Sequence, residues 1–195
     1  MRCRVLHAIV SALVLLLGGS ACSSPQKVPT ELEPNAVAYF AGGCFWGVEH
    51  FLEAMPGVIS VESGYTGGTV DDPSYKAVLV GDTGHFEAVR VRFDSRVVSF
   101  KKVAKRFFEI HDPTQNDGQG PDIGTQYLSA VFYTDEKQKE DTKELMIRLM
   151  RRGYDVVTQV RKFEKFWPAE EYHQDYYAKK GDVPYCHRPV NRFGD

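Results

Sequence analysis

The run from Val37 to Gly57 constrains the fold more than any other part of this chain. Val37-Ala38-Tyr39-Phe40-Ala41 is short and apolar, the pattern of a buried strand. Gly42-Gly43 follows, and two residues without side chains let the backbone turn sharply. Val48, Phe51, Leu52 and Met55 then recur at helical spacing until Pro56-Gly57 ends the run. A strand that hands over to a helix through two glycines places Cys44, in Gly43-Cys44-Phe45-Trp46-Gly47, at or near the helix N-terminus. Unpaired backbone N–H groups and the positive end of the helix dipole favour a thiolate there. A buried cysteine can also be a small hydrophobe with no chemistry. The glycines before this one and the aromatic pair after it suit a reactive sulfur better.

The first residues read as a leader rather than as part of the fold. Arg2 and Arg4 are followed by an apolar run from Ala8 to Leu17, too short to span a bilayer, and then by Gly18-Gly19-Ser20-Ala21-Cys22. Small residues before Cys22 resemble a bacterial lipoprotein cleavage site, although Gly19 stands where that pattern carries a leucine-like residue. The reading is a signal over 1–21, a lipid-bearing Cys22 and a polar, proline-containing tether over 22–35, with the folded domain over 36–195. The expected location is the bacterial periplasm or cell envelope. A formal net charge of -2 gives no reason to propose a nucleic-acid partner, and a monomer is expected. Once Cys3 leaves with the leader and Cys22 takes lipid, only Cys44 and Cys186 remain in the folded body. Two thiols in an exported domain can form an inert brace or a disulfide that makes and breaks during turnover.

Along the domain, 58–65 reads as a strand, and 66–75 as a loop. Residues 85–93 form the clearest strand, with Val89, Val91 and Phe93 on one face and Arg90 and Arg92 on the other. Ser99 can cap a helix running to His111. The stretch from His111 to Tyr127, rich in Gly, Pro and Asp, has no periodicity, and so long a structureless segment is usually functional or disordered. Ser129–Tyr133 reads as a strand, and Thr134 or Asp135 starts a helix with Leu145, Met146, Leu149 and Met150 inward. A strand over 156–160 and a helix over 169–179 follow, and then an irregular tail around Cys186. Interleaved strands and helices without a regular parallel repeat point to a single α+β domain. Its expected form is a mixed or antiparallel sheet with flanking helices and a ferredoxin-like core.

Parity supplies the next clue. Glu87 shares a face with Val89, Val91 and Phe93, and a carboxyl group in apolar surroundings resists ionisation, which suits a general acid. At a frayed strand end it would turn to water instead. Tyr65, Tyr75 and Tyr127 fall in loops, where hydroxyls can reach a pocket or simply pack. Phe45 and Trp46 can cup a small apolar group or pack the core. No Cys-x-x-Cys or His-x-x-x-His pair with metal-ligand spacing occurs, so no metal is expected.

Taken together, Gly43-Cys44-Phe45-Trp46-Gly47, Gly64-Tyr65-Thr66-Gly67-Gly68, Gly84-His85-Phe86-Glu87, Asp122-Ile123-Gly124-Thr125-Gln126-Tyr127 and Tyr172-His173-Gln174 resemble the A-type peptide methionine sulfoxide reductases, in order, from about residue 36 to 186. The resemblance implies Cys44 as nucleophile and Glu87 as acid. It implies Tyr75, Asp122 and Tyr127 around the sulfoxide oxygen, and Phe45 and Trp46 against the methyl group. Cys186, in Pro184-Tyr185-Cys186, resembles the family's resolving cysteine, followed here by His187-Arg188-Pro189 rather than by a glycine-rich stretch with another thiol. The implied reaction is reduction of methionine S-sulfoxide, free or in proteins, through a sulfenic acid and a Cys44–Cys186 disulfide. A thioredoxin-like donor reduces that disulfide, and no bound cofactor is needed. Two rivals use the same residues: a thiol peroxidase, and a non-enzymatic lipoprotein with a permanent disulfide.

Overall fold

The structure, a computed structural model, describes residues 33–195. The leader, Cys22 and nearly all of the tether lie outside the described residues. In chain order, β1 (Ala36–Gly42) leads to α1 (Phe45–Glu53), β2 (Val58–Thr66), the short α2 (Tyr75–Val80), β3 (Phe86–Phe93) and α3 (Phe100–Ile110). A two-residue hairpin, β4 (Gly118–Gln119) and β5 (Asp122–Ile123), precedes β6 (Ser129–Tyr133) and α4 (Glu136–Arg151). The chain ends with β7 (Gln159–Lys162), β8 (Phe166–Pro168), α5 (Tyr176–Lys180) and an irregular tail.

The central strands run in the order β6-β1-β3-β2, with every neighbouring pair antiparallel. Two β-α-β crossovers, through α1 and α3, interlock to make them, which is the expected ferredoxin-like core. β7 adds parallel to β6 and β8 antiparallel to β2, so the six-stranded sheet is mixed. Register explains the two faces. Phe40 lies opposite Val89 and Ala38 opposite Val91, and these four pack with Leu52, Phe107, Leu145 and Leu149 from α1, α3 and α4. Burying one such side chain contributes about 1.5–3 kcal/mol. The other face carries Tyr39, Ala41, Phe86, Ala88 and Phe132. Tyr39 stacks there on Phe163 at 3.8 Å.

Caps start the helices where the sequence places them. Ser99 Oγ accepts from Lys102 N–H at 3.3 Å, and Asp135 Oδ1 accepts from Gln138 N–H at 2.8 Å. Other expectations need correction. The segment from Tyr75 is a short helix rather than loop, because Ser74 caps it and Gly81 ends it at φ +87. The stretch 111–127 holds a hairpin and a 3-10 turn instead of being structureless. The strand expected at 156–160 begins three residues later, and Met150, expected inward, is exposed. The helix expected over 169–179 is broken at Gln174–Asp175. Gln174 spends its amide on the β2 edge, accepting from Ser63 N–H and donating to Ser63 and Ala169 carbonyls, and Asp175 turns at φ +54.

Candidate active site

Cys44 is the N-cap of α1, and Gly43 makes the turn before it at φ +92, a conformation that favours glycine. The strand alternation of β3 brings Glu87 beneath this turn. Glu87 is 1% exposed, and its Oε2 accepts from Phe45 N–H at 3.1 Å. The carboxyl thus meets the first backbone N–H after the thiol and does not turn to water. Burial pushes its pKa up to about 8, against the pull of the Phe45 N–H; Asp122 and Cys186 nearby add to the rise.

The C-terminal tail crosses the same turn. Cys44 and Cys186 are both free thiols, in hydrogen-bonding contact with each other. In such a pair one sulfur carries the charge and the other keeps the proton. Cys186 takes the charge, because it accepts from Cys44 and can pass its own proton to His187 Nδ1, 3.0 Å from its Sγ. Cys44 is pushed up by that same contact, then by burial and by Glu87. The helix N-terminus does act as expected, since Trp46 N–H lowers the Cys44 pKa. With the tail docked, it is outweighed.

Tyr75 and Tyr127 converge on the same place. Burial first, then the Glu87 charge, raises both phenols well above their ordinary range, and Cys44 contributes to each. Both therefore stay protonated and able to donate. Asp122, on β5, faces the tail: its two carboxylate oxygens accept from Tyr185 OH at 3.0 and 3.1 Å. Phe45 is 1% exposed and packed among Tyr65, Tyr75 and His173. Trp46 is half-buried and stacks on Tyr176 at 3.6 Å, with its Nε1–H donating to His173 Nδ1 at 3.1 Å. Trp46 thus offers the accessible apolar face, while Phe45 supports it from below.

A family model described as peptide methionine sulfoxide reductase matches residues 36–194. The chain belongs to this family. Its relatives include a protein from Nautilia profundicola named peptide methionine sulfoxide reductase MsrA, 46% identical over 153 residues, or 78% of this chain and 87% of that one. Peptide methionine sulfoxide reductase MsrA/MsrB of Vibrio cholerae is 43% identical over 183 residues, covering 92% of this chain. The present chain spans only about half, 48%, of that longer protein. Among solved structures, Mxr1 from Saccharomyces cerevisiae in reduced form superposes with a TM-score of 0.75 at 30% identity, over 80% of this chain and 92% of the yeast one. The same yeast protein in complex with Trx2 is similar at 18% identity and a TM-score of 0.55, which speaks to the fold alone.

The sequence reading gives no role to four residues of this site, although His173 stands in the Tyr172-His173-Gln174 motif. Glu170 ties the wall together, its carboxylate accepting from Tyr65 OH and Tyr75 N–H, each at 2.9 Å. His173 is fully buried between Phe45, Trp46 and Tyr75. Tyr185 and His187 come from the tail. For Glu170 the signal is its place just before that motif, for His173 its membership of it, and for His187 adjacency to a cysteine.

Proposed function

We propose that this chain reduces the S epimer of methionine sulfoxide, free or in proteins, with Cys44 as nucleophile, Glu87 as acid and Cys186 as resolving thiol. The observation that carries the reading is Glu87: a buried carboxyl, still protonated at neutral pH, hydrogen-bonded to the residue that follows the thiol. A sulfoxide sulfur becomes electrophilic only when its oxygen can take a proton. Substrate entry displaces the Cys186 sulfur from Cys44 and removes the largest upward push on the nucleophile. The Cys44 thiolate attacks sulfur while Glu87 gives its proton to the oxygen, and the Tyr75 and Tyr127 hydroxyls donate to that oxygen as charge gathers on it. Methionine leaves, and Cys44 holds the oxygen as a sulfenic acid. Cys186 then displaces it as water and forms the disulfide.

A thiol peroxidase would have no use for the aromatic wall of Trp46, Tyr176 and His173 beside the thiol. We assign the reduction of the disulfide to a thioredoxin-like dithiol protein, the class to which the Trx2 partner of yeast Mxr1 belongs by name. Cys22 and the leader support a lipid-anchored enzyme of the cell envelope, so the donor must also reach that compartment. Two outcomes test these assignments. Cys186→Ser is expected to release one methionine per chain and then stop; sustained cycling with a protein dithiol would remove Cys186 from the path. Mass spectrometry of the mature protein is expected to find a diacylglyceryl-bearing Cys22, and an unacylated N-terminus would remove the anchor.

A further inference from the structure

His187 has a role open to it that the sequence motifs do not assign. It is 4% exposed, and its two ring nitrogens are fixed in opposite senses. Nε2 lies 2.7 Å from the Gly42 carbonyl oxygen, which can only accept, so Nε2 carries the proton of the neutral ring. Nδ1 is then a bare acceptor, and it lies 3.0 Å from Cys186 Sγ. Gly42 is the last residue of β1, two before Cys44, so the ring that meets the resolving sulfur is tied to the strand end that presents the nucleophile. The seat is built for it: a Cβ at residue 47 would fall 2.3 Å from Nδ1 and 2.8 Å from Cγ of this ring, so only Gly47 leaves room.

The geometry points to His187 as the general base that takes the proton of Cys186 when that thiol closes on the Cys44 sulfenic acid. This deepens the sulfoxide reading and rests on the sulfenic acid it produces. The Cys186 S–H proton moves to Nδ1, and the resulting thiolate attacks the Cys44 sulfur. An S–S bond forms and the S–O bond breaks. The Cys44 sulfur is reduced as the Cys186 sulfur is oxidised. The departing hydroxide takes one proton from solvent and leaves as water, and His187 returns its proton to solvent. The tautomer is what gives the arrangement its direction, because the Gly42 carbonyl holds the N–H away from the sulfur.

Other titratable groups face the pair: Cys44 on α1, Glu87 on β3, His111 after α3, Asp122 on β5 and Tyr177 on α5. His187→Gln leaves all of them in place, and its amide N–H can keep the Gly42 bond. Reduced full-length protein is mixed with one equivalent of methionine S-sulfoxide at pH 6 to 9 and quenched. Methionine, the dimedone adduct of Cys44 and the disulfide are then measured by mass spectrometry. In His187→Gln, disulfide formation is expected to slow about 100-fold at pH 7, with the dimedone adduct accumulating. Its rate is expected to climb with pH toward the ordinary thiol value of about 8.5, where the parent protein shows a flat profile. Equal rates and profiles in the two proteins would overturn the assignment. Absence of methionine from the parent protein would instead remove the sulfoxide reading. A second measurement leaves His187 intact: in Cys44→Ser, alkylation of Cys186 by iodoacetamide, followed on its peptide, is expected to have its midpoint at least one pH unit below the ordinary thiol. An ordinary midpoint would overturn the proposal whatever the fate of the glutamine variant.

Discussion

Cys44→Ser is expected to release no methionine from methionine S-sulfoxide above the uncatalysed background, a loss on the order of 10⁶-fold, the scale on which removal of a nucleophile acts. A serine hydroxyl is un-ionised at neutral pH and cannot take the sulfoxide oxygen into a sulfenic acid. The fold should tolerate the change, because Cys44 caps α1 without a side-chain hydrogen bond. The check is a quench experiment with stoichiometric sulfoxide. The parent protein should lose two titratable thiols, those of Cys44 and Cys186, for each methionine formed. The variant should lose none and form none. Methionine from the variant at the parent rate would remove the nucleophile from residue 44.

Glu87→Gln carries the second large effect, and it acts on two observables with opposite signs. The chemical step is expected to slow by roughly 10²–10⁴-fold, the usual contribution of a positioned acid. The amide oxygen can still accept from Phe45 N–H, so the turn stays in place while the proton is gone. In the parent protein the acid works only while protonated. The rate of the chemical step should therefore fall as pH rises through about 8, and that limb should be missing in the variant. Stability runs the other way. An unfolded glutamate titrates near 4.3, so between there and about 8 the folded protein holds a proton that the unfolded chain has lost. Folding stability therefore declines as pH rises across that window, by at most about 5 kcal/mol. The glutamine variant escapes this decline and should melt higher than the parent at pH 9 while being the poorer catalyst. Matching melting temperatures at pH 9 would mean that Glu87 is ionised in the fold without penalty.

The half of the site built on local pattern could be read from the chain itself. The two glycines between an apolar strand and a helical repeat place Cys44 at a cap, and the alternation of β3 puts Glu87 on the apolar face. Both follow from periods of 3.6 and 2 that need no knowledge of distant residues. The succession of strands and crossover helices was legible for a similar reason, since each carries its own period, but no period sets their order in the sheet. The second half was not. β8 is three residues long, with no alternation to detect. The break near Gln174 comes from a side-chain amide bonding to a strand edge 111 residues away. Tyr185 and His187 lie in a tail with no period at all, and their partners, Asp122 and Gly42, are 63 and 145 residues distant. The ionisation of Cys44 shows the same limit. A helix end argues for a charged sulfur, but a second sulfur brought in from residue 186 decides where the charge rests.

The segment bearing Cys186 is pinned on both sides. Tyr185 bonds to Asp122 just before it. Beyond it Val190 N–H bonds to the Glu109 carbonyl, Arg192 clasps the Phe108 and His111 carbonyls, and Phe193 is buried. The second sulfur is therefore on a short leash, able to step off Cys44 for substrate but never far from it. Its effective molarity at Cys44 far exceeds that of any dissolved peroxide. A sulfenate formed here is captured before a further oxidant can drive it to the irreversible sulfinate, so an enzyme that repairs oxidative damage is shielded from suffering it.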